Sequence, residues 1–481
     1  MAKFYIDQHG CAKNQTDGEL LAGYLCKNGF ELVTQPNLAE FILINSCGFI
    51  ESAKKESIDA VYSIKKAYPD AKIILCGCLA ERYAAELLES MPELDGVFGN
   101  GDLTKITEYI KQNQRKPCVY QQSGISEGER PYIYNYKASA FVKITEGCSN
   151  HCSFCAIPLI RGELRSRKWQ NIIKEITDFV QNGVYEINLI GQDLAAYGTG
   201  ATDKENVLSL QKECKNTELS PLALLFTLID KIPGDFIVRP LYIHPDHFNT
   251  DILKIIKNSK KFISYFDIPF QSGDNNIIKA MNRTGTFEGY VKLINTIKTE
   301  LPDCVLRTTF LTGFPGESEE AAENTKRFLK QIEPHWSGCF AYSREEGTPA
   351  YDYKKRVSKK CSQKRADELE IIQSEITLKK LEKYIGQEVD VLVEEIIHND
   401  ESISEDSTEG LAIGRAWFQA PEVDGCVVIR YDLDNKEMRG SIKEGNVVTV
   451  KILAVTGVDL DARFIKLRKA FDVNSKKIYL S

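Results

Sequence analysis

Apolar and amphipathic segments alternate along the first 118 residues of the chain. Short apolar runs predict strands at residues 3–7, 41–45 and 72–76, and the amphipathic stretches between them predict helices at residues 18–28, 51–66 and 80–91. Strands and helices that alternate at intervals of about 30 residues are typical of βαβ units with a parallel sheet. We therefore predict an N-terminal α/β domain over residues 1–118, followed by an aperiodic linker over residues 120–134.

The same alternation returns in a longer middle region, residues 135–383. Six apolar runs predict strands at residues 141–145, 186–190, 236–243, 265–269, 305–311 and 338–343, with helices between them at positions such as 170–181, 251–257 and 317–331. A charged helix is predicted at residues 363–384, and the polar, aperiodic residues 203–219 predict a surface insertion. Six strand–helix units favour a partial (β/α)6 barrel, in which ligands collect at the C-terminal ends of the strands.

The pattern changes to β-type segments without helices over residues 386–470. The predicted strands lie at residues 389–396, 411–417, 427–431, 447–455 and 464–466, and residues 400–409 form an acidic loop. Short strands in succession are typical of a small β-barrel. The predicted fold class is therefore α/β, with an N-terminal parallel-sheet domain, a central partial barrel and a C-terminal small β-barrel.

Composition narrows the class of protein. The net charge of −7 gives no global attraction to nucleic acid or to an anionic membrane. The sequence has neither a leader-like start nor an apolar run of membrane-spanning length, so we expect a cytoplasmic protein without a membrane contact. Fourteen cysteines in such a chain point to metal binding or reactive thiols rather than to a disulfide framework.

A C-x3-C-x2-C motif stands directly after the first predicted strand of the middle region. Its cysteines are Cys148, Cys152 and Cys155, and the next cysteine along the chain is only Cys214. Three closely spaced thiolates can hold an iron–sulfur cluster and leave one iron open for chemistry. The alternative is a zinc knuckle, but zinc usually takes four ligands, and the adjacent His151 would strain a tetrahedral site.

Three more cysteines follow predicted strand ends in the N-terminal region. Cys11, Cys47 and Cys78 each have a neighbouring glycine, and parallel strands bring their C-terminal ends to one edge of the sheet. We predict that these cysteines hold a second open cluster. Buried structural cysteines are the alternative, and Cys76 competes with Cys78 because it would point to the same face of the strand.

Five stretches of the chain resemble motifs of the radical SAM (S-adenosylmethionine) methylthiotransferase family. They include both cysteine sets and occupy residues 9–19, 45–59, 77–82, 143–167 and 413–425. The resemblance covers essentially the whole chain, and its details favour the branch that modifies a ribosomal protein over the branch that modifies tRNA. It implies a radical SAM core over residues 135–383 and a TRAM domain over residues 386–470.

The resemblance also implies a reaction and its cofactors. The expected cofactors are two [4Fe–4S] clusters on the two cysteine sets and two SAM molecules per turnover. One SAM is cleaved to a 5′-deoxyadenosyl radical that removes a hydrogen from the β-carbon of an aspartate in ribosomal protein S12. Such an unactivated C–H bond requires a cofactor radical. The second cluster supplies sulfur, the second SAM supplies the methyl group, and a flavodoxin or ferredoxin donates electrons. No catalytic residue is assigned beyond the cluster ligands.

Two turns at predicted strand ends resemble the family's SAM contacts. Residues Gly191, Gln192 and Asp193 resemble the contact with the methionine amine, and Gly313, Gly316 and Glu317 resemble the contact on the adenosine side. Arg239 and Arg307 lie on strands that should line the barrel. They are expected to pair with a carboxylate of SAM or of the target aspartate, or to form structural salt bridges.

Charge in the C-terminal region bears on the choice of substrate. Residues 386–462 contain 17 acidic and 6 basic residues, a net charge of −11, and residues 463–481 contain 6 basic residues and one acidic residue. Such an acidic barrel would repel an RNA backbone and attract a basic protein such as S12. RNA binding is therefore not expected, unless a basic patch lies elsewhere. The alternatives are a tRNA methylthiotransferase and a non-catalytic iron–sulfur scaffold of ribosome assembly.

Overall fold

The computed structural model describes residues 1–122, 124–134, 136–397, 409–471 and 478–479. Its N-terminal domain is a six-stranded parallel sheet in the order β2-β1-β3-β4-β5-β6. The strands are β1 (Lys3–Gln8), β2 (Glu31–Leu32), β3 (Phe41–Ser46), β4 (Lys72–Gly77), β5 (Gly96–Phe98) and β6 (Pro117–Cys118). The helices are α1 (Ala12–Lys27), α2 (Glu51–Ala67), α3 (Cys78–Ser90) and α4 (Ile106–Gln112).

Helix α1 begins six residues earlier than the sequence pattern predicted. Its first two turns are polar, yet every residue from Ala12 to Glu19 is buried. A polar segment of this kind lacks the apolar periodicity that predicts a helix. The early start follows from burial of this polar end against the middle domain, which an isolated sequence window does not reveal.

The middle domain contains the predicted half-open barrel. Its strands are β7 (Tyr132–Ile133), β8 (Ser139–Lys143), β9 (Thr145–Glu146), β10 (Arg165–Ser166), β11 (Glu186–Ile190), β12 (Ile237–Pro240), β13 (Tyr265–Asp267), β14 (Val305–Thr312) and β15 (Trp336–Ala341). Two parallel sheets, β12-β11-β8 and β13-β14-β15, meet where the Val238 amide donates to the Lys261 carbonyl (2.8 Å). The six long strands therefore form one curved parallel layer, as predicted.

Helices cover the outside of this curved layer. They are α5 (Ile157–Arg161), α6 (Trp169–Gln181), α7 (Lys204–Cys214), α8 (Pro221–Asp230), α9 (Asp251–Asn258), α10 (Asn275–Ala280), α11 (Phe287–Glu300), α12 (Glu319–Ile332) and α13 (Lys359–Leu381). The main apolar core lies between these helices and the strands. It leaves the C-terminal ends of the strands as the rim on which ligands can gather.

The prediction of an aperiodic insertion at residues 203–219 is wrong. Eleven of these residues form helix α7, whose Leu210 is completely buried in the main core. Asn206 and Ser209 add polar anchors, since the Trp169 amide donates to Asn206 Oδ1 (3.1 Å) and Trp169 Nε1 donates to Ser209 Oγ (2.9 Å). A helix with so few buried positions has a weak amphipathic signal, and the sequence pattern missed it for that reason.

The C-terminal domain is a closed five-stranded barrel in the order β16-β17-β18-β20-β19. Its elements are β16 (Glu388–Ile397), β17 (Glu409–Ala416), β18 (Val427–Asp432), α14 (Lys436–Ser441), β19 (Val447–Thr456) and β20 (Asp459–Lys469). The short helix α14 departs from the expectation of strands alone. The predicted acidic loop at residues 400–409 lies, except for Glu409, outside the described residues. A final strand, β21 (Ile478–Tyr479), pairs with β7.

One loop of the C-terminal barrel closes the lower end of the middle domain. This plug loop, residues 417–424, joins β17 to β18, and its Phe418 is buried. Trp336, the first residue of β15, donates from Nε1 to the Phe418 carbonyl (2.8 Å). Tyr265, the first residue of β13, donates its hydroxyl to Asp424 Oδ2 (2.6 Å). The plug loop therefore covers the N-terminal ends of the parallel strands, opposite the rim.

Among the described residues, the structure has no helix with the length and apolar character needed to cross a membrane.

Candidate active site

The C-x3-C-x2-C motif forms a folded loop on the rim of the middle domain, and Cys148, Cys152 and Cys155 are called the loop trio below. The Cys148 amide donates to the Gly162 carbonyl (3.1 Å), and the Cys155 amide donates to the Cys152 carbonyl (3.0 Å). Burial and the neighbouring thiols raise the pKa of Cys148 and of Cys155 to about 12. Three partly or fully buried thiols on one short loop favour a metal centre, because a bound metal keeps thiolates deprotonated.

His151 faces away from this group of thiols. Its side chain is 58% exposed, and its Nε2 lies 3.6 Å from Glu163 Oε1. The donor set of the loop is three sulfur atoms, which suits an iron–sulfur cluster with one open iron better than a four-ligand zinc site.

The structure also brings Cys11, Cys47 and Cys78, called the N-terminal trio, to one edge of the N-terminal sheet. Cys11 immediately precedes α1, Cys47 follows β3, and Cys78 is the first residue of α3. A Cβ atom on Gly10 would lie 3.1 Å from the Cys47 Cβ, so the two loops approach closely. Asn14 ties them together, since its Nδ2 donates to the carbonyls of His9 (2.8 Å) and Ser46 (3.1 Å).

Cys76 takes no part in this arrangement. Its side chain is completely buried in the apolar core of the N-terminal domain, together with residues such as Phe98 and Ile106. Burial raises the pKa of its thiol. The strand ends at Gly77, and the positive φ of Gly77 (+89°) turns the chain there, so Cys76 and Cys78 point in different directions. The structure therefore groups Cys78, and not Cys76, with Cys11 and Cys47.

Arg161 connects the two trios. It ends helix α5, which follows the loop trio directly, and its Nη2 lies 3.2 Å from the Cys78 sulfur. Ala156, next to Cys155, packs against Cys78 in the same small apolar cluster. Desolvation raises the pKa of the Cys11 thiol, but Lys13 and Arg161 outweigh it and the pKa is lowered overall. The two sets of candidate ligands are thus neighbours, and the cations Lys13 and Arg161 favour negative charge on the Cys11 sulfur.

Behind Arg161 lies a buried network of two cations and two carboxylates. Arg161 Nη1 contacts Asp17 Oδ2 (2.7 Å) and Glu146 Oε1 (2.9 Å), while Lys143 contacts Asp17 Oδ1 (2.6 Å) and also Glu146. Burial raises the pKa of Glu146, but the two cations hold it well below its usual range. The charges balance, so the network can lie between the two domains without an uncompensated ion.

The first predicted SAM turn, after β11, lies on the same rim. Gly191 has no room for a side chain, because a Cβ atom would lie 2.0 Å from Thr145 Oγ1. Gln192 Nε2 donates to Glu146 Oε1 (3.3 Å), and its Oε1 is buried without a hydrogen-bond donor in the described part of the chain. Such an orphaned acceptor fits a ligand that brings an N–H group, as an amino group of SAM would.

Asp193 is buried and already has several donors. It accepts from Asn150 Nδ2 (3.0 Å) and from the Ala195 amide (3.0 Å), and His247 Nδ1 lies 2.7 Å from its Oδ2. Burial raises the pKa of Asp193, but the contact with His247 and the nearby His244 lower it overall. This carboxylate therefore holds the rim loops together, and its capacity for a further ligand is small.

The second predicted SAM turn follows β14. Gly313 has φ of +75°, and a Cβ atom there would lie 1.7 Å from Ser362 Oγ, whereas Gly316 (φ +94°) faces open space. The Glu317 carboxylate accepts from the Gly313 amide (2.6 Å) and pairs with Arg365 (2.7 Å). Glu317 thus shapes the turn from inside, and the Gly316 amide also has a partner within the chain, the Lys355 carbonyl (2.9 Å).

The two barrel arginines differ in their surroundings. Arg239 is completely buried, pairs with Glu186 (2.9 Å) and donates to the Trp417 carbonyl (2.8 Å), which makes it a structural residue at the plug loop. Its position is not on the rim, so the structure favours the salt-bridge alternative for Arg239. The Arg307 side chain donates no hydrogen bond to any of the described residues and lies 3.9 Å from Asp424. It remains a candidate for binding a carboxylate.

Several residues of the site carried no separate signal in the sequence. The polar residues Asn14 and Arg161 lie within the motif stretches 9–19 and 143–167, but no role could be assigned to them from those motifs. His244 lies close to the loop trio, since its Nε2 is 3.9 Å from the Cys152 sulfur. Together with Asp193 and His247 it brings three potential ligand atoms within 4.8 Å of one another. A polar residue that will be buried at a domain interface cannot be told from a solvated one by its type alone.

Family models match three separate parts of the chain. Residues 3–99 match the family described as "Uncharacterized protein family UPF0004", residues 142–329 match the radical SAM superfamily, and residues 385–465 match the TRAM domain. Among solved structures, the radical S-adenosylmethionine methyltransferase TsrM from Kitasatospora setae superimposes with a TM-score of 0.50 at 13% identity. That match covers 73% of this chain and 74% of TsrM and supports the fold alone.

Whole-length relatives are more informative. The chain is 50% identical over 475 residues to the ribosomal protein uS12 methylthiotransferase RimO of Treponema denticola, which covers 95% of this chain and 99% of the relative. The protein of the same name from Clostridium kluyveri is 38% identical, with 94% and 95% covered, and that from Thermotoga maritima is 36% identical, with 88% and 92% covered. The chain therefore belongs to the radical SAM methylthiotransferase family, in the branch of RimO.

Proposed function

We propose that this methylthiotransferase adds a methylthio group to the β-carbon of an aspartate in ribosomal protein uS12. The observation that carries the proposal is the adjacency of two three-cysteine sites, bridged by Arg161 and by the packing of Ala156 on Cys78. One site suits the activation of SAM and the other the delivery of sulfur. The relatives named above support uS12 as the substrate.

Each trio would hold one [4Fe–4S] cluster through three thiolates. When bound, the cluster of the loop trio supplies the electron that cleaves SAM reductively, and the cluster of the N-terminal trio carries the sulfur to be inserted. One SAM would leave as methionine and as 5′-deoxyadenosine that carries the substrate hydrogen, and the other would leave as S-adenosylhomocysteine after giving its methyl group to sulfur. The electron released when sulfide-level sulfur bonds to the substrate carbon would return to the second cluster. A flavodoxin- or ferredoxin-type protein supplies the electron.

The chain's own residues bind, orient and balance charge. Gln192 Oε1 has no donor among the described residues and can accept from the SAM amino group, while Gly191 and Gly313 make room for Thr145 and Ser362. Arg161 offsets the negative charge of the N-terminal trio at the Cys78 sulfur. The plug loop keeps solvent from entering the barrel at its lower end. Exclusion of water protects a reactive intermediate from side reactions.

The C-terminal barrel is the proposed contact for uS12. Its excess of acidic residues favours a basic partner, and exposed carboxylates such as Glu388, Glu395 and Asp432 contribute to this field. Electrostatic complementarity of this kind accelerates encounter more than it adds affinity. A cytoplasmic location follows from a substrate that belongs to the ribosome.

The test measures two products, 5′-deoxyadenosine and the methylthio adduct on uS12. Both are measured for variants of the reconstituted enzyme supplied with uS12, SAM and a reductant. We expect Cys148→Ala to abolish both 5′-deoxyadenosine and the methylthio adduct on uS12. Cys78→Ala should still release 5′-deoxyadenosine but form no adduct. Cys76→Ala is the matched control, because Cys76 lies in the apolar core, and it should retain both products.

Three outcomes would contradict the proposal. Reductive SAM cleavage by Cys148→Ala would remove the assignment of the loop trio. An adduct formed on tRNA adenosine instead of uS12 would transfer the enzyme to the tRNA-modifying class. The absence of any SAM cleavage by the wild-type protein would favour the scaffold alternative.

A further inference from the structure

A lysine of the N-terminal domain is buried over the barrel without a hydrogen-bond acceptor. Lys13, two residues after Cys11, is 9% exposed, and its Nζ lies 3.3 Å from the centre of the Tyr242 ring. Within the described ranges, no carboxylate, carbonyl or hydroxyl accepts from this ammonium group. A cation–π contact compensates a buried ammonium only in part, since its three N–H donors prefer oxygen acceptors. The ammonium group of Lys13 can therefore bind a hydrogen-bond acceptor of a ligand, since no described residue supplies one.

A second cation from the barrel wall reaches the same space. The Arg307 side chain is 12% exposed, and its nearest carboxylate in an ion pair is Asp424, at 3.9 Å, a distance too long for a hydrogen bond. Lys13 and Arg307 both act electrostatically on Tyr242 and on Asp267. Two cations from different domains thus converge on one pair of residues, and the fork of five N–H donors on Arg307 lacks a bidentate partner.

The residue between the two cations is held in an unusual conformation. Tyr242 has φ of +63°, which is costly for an aromatic residue and persists only where the surroundings impose it. Its amide donates to Asp267 Oδ2 (3.2 Å), and its carbonyl accepts from the Leu194 amide (3.0 Å). These bonds fix the ring beneath Lys13. Such strain is typical of binding and catalytic sites, where a side chain must be aimed.

We propose that Lys13 and Arg307 bind the side-chain carboxylate of the target aspartate, with the Tyr242 ring as the floor of the pocket. The inference rests on the proposed function, which makes an aspartate the substrate. A carboxylate accepts from both cations at once, and a bidentate contact with Arg307 fixes its plane. Because Lys13 is two residues from Cys11, a carboxylate held there lies next to the N-terminal trio.

The same arrangement explains how one residue of a basic protein could be selected. An asparagine at the target position has the same shape but no charge, and it would add no counter-charge for the two cations to that of the nearby Asp267 and Asp424. Arg239, the other arginine of the barrel, is already paired with Glu186 and cannot take this role. Selectivity for aspartate is therefore assigned to Lys13 and Arg307 together.

The test measures binding rather than turnover. Anaerobically reconstituted enzyme with SAM is titrated with uS12 and with uS12 whose target aspartate is replaced by asparagine. We expect the wild type to bind the aspartate form about 10- to 100-fold more tightly, the range for a hydrogen-bonded charge. Lys13→Met and Arg307→Met should each lose most of this preference. Lys55→Met is the control, since Lys55 is exposed on α2, and it should keep the preference.

Further measurements separate this inference from its alternatives. Iron content and SAM cleavage without uS12 are measured in parallel for Lys13→Met, Arg307→Met and the control Lys55→Met, so that loss of a cluster is distinguished from loss of aspartate binding. If Lys13→Met lost iron but kept the preference for aspartate, Lys13 would serve the N-terminal trio and the inference would be overturned. A wild type that binds both forms of uS12 equally, or neither, would overturn it too. A wild type that prefers aspartate but forms no adduct would contradict the proposed reaction and leave this binding site intact.

Discussion

At the scale of single residues, Arg161 shows how one side chain couples two domains. The same guanidinium contacts the Cys78 sulfur (3.2 Å) and two buried carboxylates, Asp17 and Glu146. A planar fork with several donors can serve all three acceptors, whereas a lysine ammonium could not match this geometry. The immediate surroundings of the N-terminal trio therefore include a residue from the middle domain.

We expect Arg161→Met to destabilise the protein and to weaken the N-terminal site. Two buried carboxylates would be left with Lys143 alone, which costs about 3–5 kcal/mol of unfolding free energy. The thiol of Cys78 would lose its nearest positive charge, so less iron should be retained at that site. Chemical denaturation and iron analysis after reconstitution provide the two readouts.

Arg165→Met is the matched control for this change. Arg165 is also buried in the same stretch, but its hydrogen-bond acceptors are mostly carbonyls, such as those of Gly124 and Glu163. Arg165→Met should lower the free energy of unfolding by less than Arg161→Met does, and it should leave the iron content unchanged. If Arg161→Met and Arg165→Met gave the same stability and the same iron content, Arg161 would have no special link to the trio.

At the scale of elements, the sequence predicted best where apolar periodicity was strong. The strand at Glu186–Ile190 lies where the pattern placed it, and the fold class of all three regions is confirmed. Helix α7 and the first turns of α1 were missed because their buried positions are few or polar. Propensity and periodicity report burial of apolar side chains, and they cannot report burial of a polar helix end by another domain.

The candidate site could likewise be predicted only in part from the sequence. The spacing of Cys148, Cys152 and Cys155 needed no structure to be noticed, and the residues after strand ends pointed to Cys11 and Cys47. The choice between Cys76 and Cys78 depended on the turn at Gly77, which the three-dimensional structure shows directly. Long-range partners such as Arg161 follow from packing of two domains, and a sequence pattern contains no record of that packing.

Helix α7 provides a test of its newly recognised place in the core. Leu210→Ala should lower the free energy of unfolding by about 2–5 kcal/mol, because Leu210 is completely buried and its removal leaves a cavity. Leu208→Ala, on the same helix, should change it by only about 0.5 kcal/mol, because Leu208 is 56% exposed. Equal effects in urea denaturation would show that α7 does not pack as described.

At the scale of the whole molecule, Glu186 is the point where the C-terminal barrel is joined to the middle domain. It pairs with Arg239 (2.9 Å) of the middle domain and with Arg415 (2.7 Å) of the barrel. Burial raises the pKa of Glu186, but the two arginines hold it well below its usual range. Two of the three tryptophans, Trp336 and Trp417, lie at this junction and can report on it by fluorescence.

This junction should respond to pH with a defined sign. The folded-state pKa of Glu186 is depressed, so its stabilisation is present above the unfolded value of about 4.3 and is lost as the pH falls below it. Glu186→Gln should lower the free energy of unfolding by about 3–5 kcal/mol at pH 7, because two buried arginines lose the carboxylate with which both are paired. The difference between wild type and variant should shrink when denaturation is repeated near pH 4.

Glu388→Gln is the control for the junction, because Glu388 is an exposed residue of the C-terminal barrel. It should leave both the unfolding free energy and its pH dependence nearly unchanged. A pH-independent difference for Glu186→Gln would mean that the Glu186 carboxylate does not bear the charge that holds the junction together.

The plug loop has a consequence for the order in which SAM and uS12 bind and dissociate. With the lower end of the barrel covered by Phe418 and its neighbours, the rim is the side that the described residues leave open to the space around the two trios. A ribosomal protein bound on the rim would block the exchange of small molecules there. For the proposed reaction, which uses two SAM molecules, we expect spent SAM to leave and fresh SAM to bind before uS12 binds or after it dissociates.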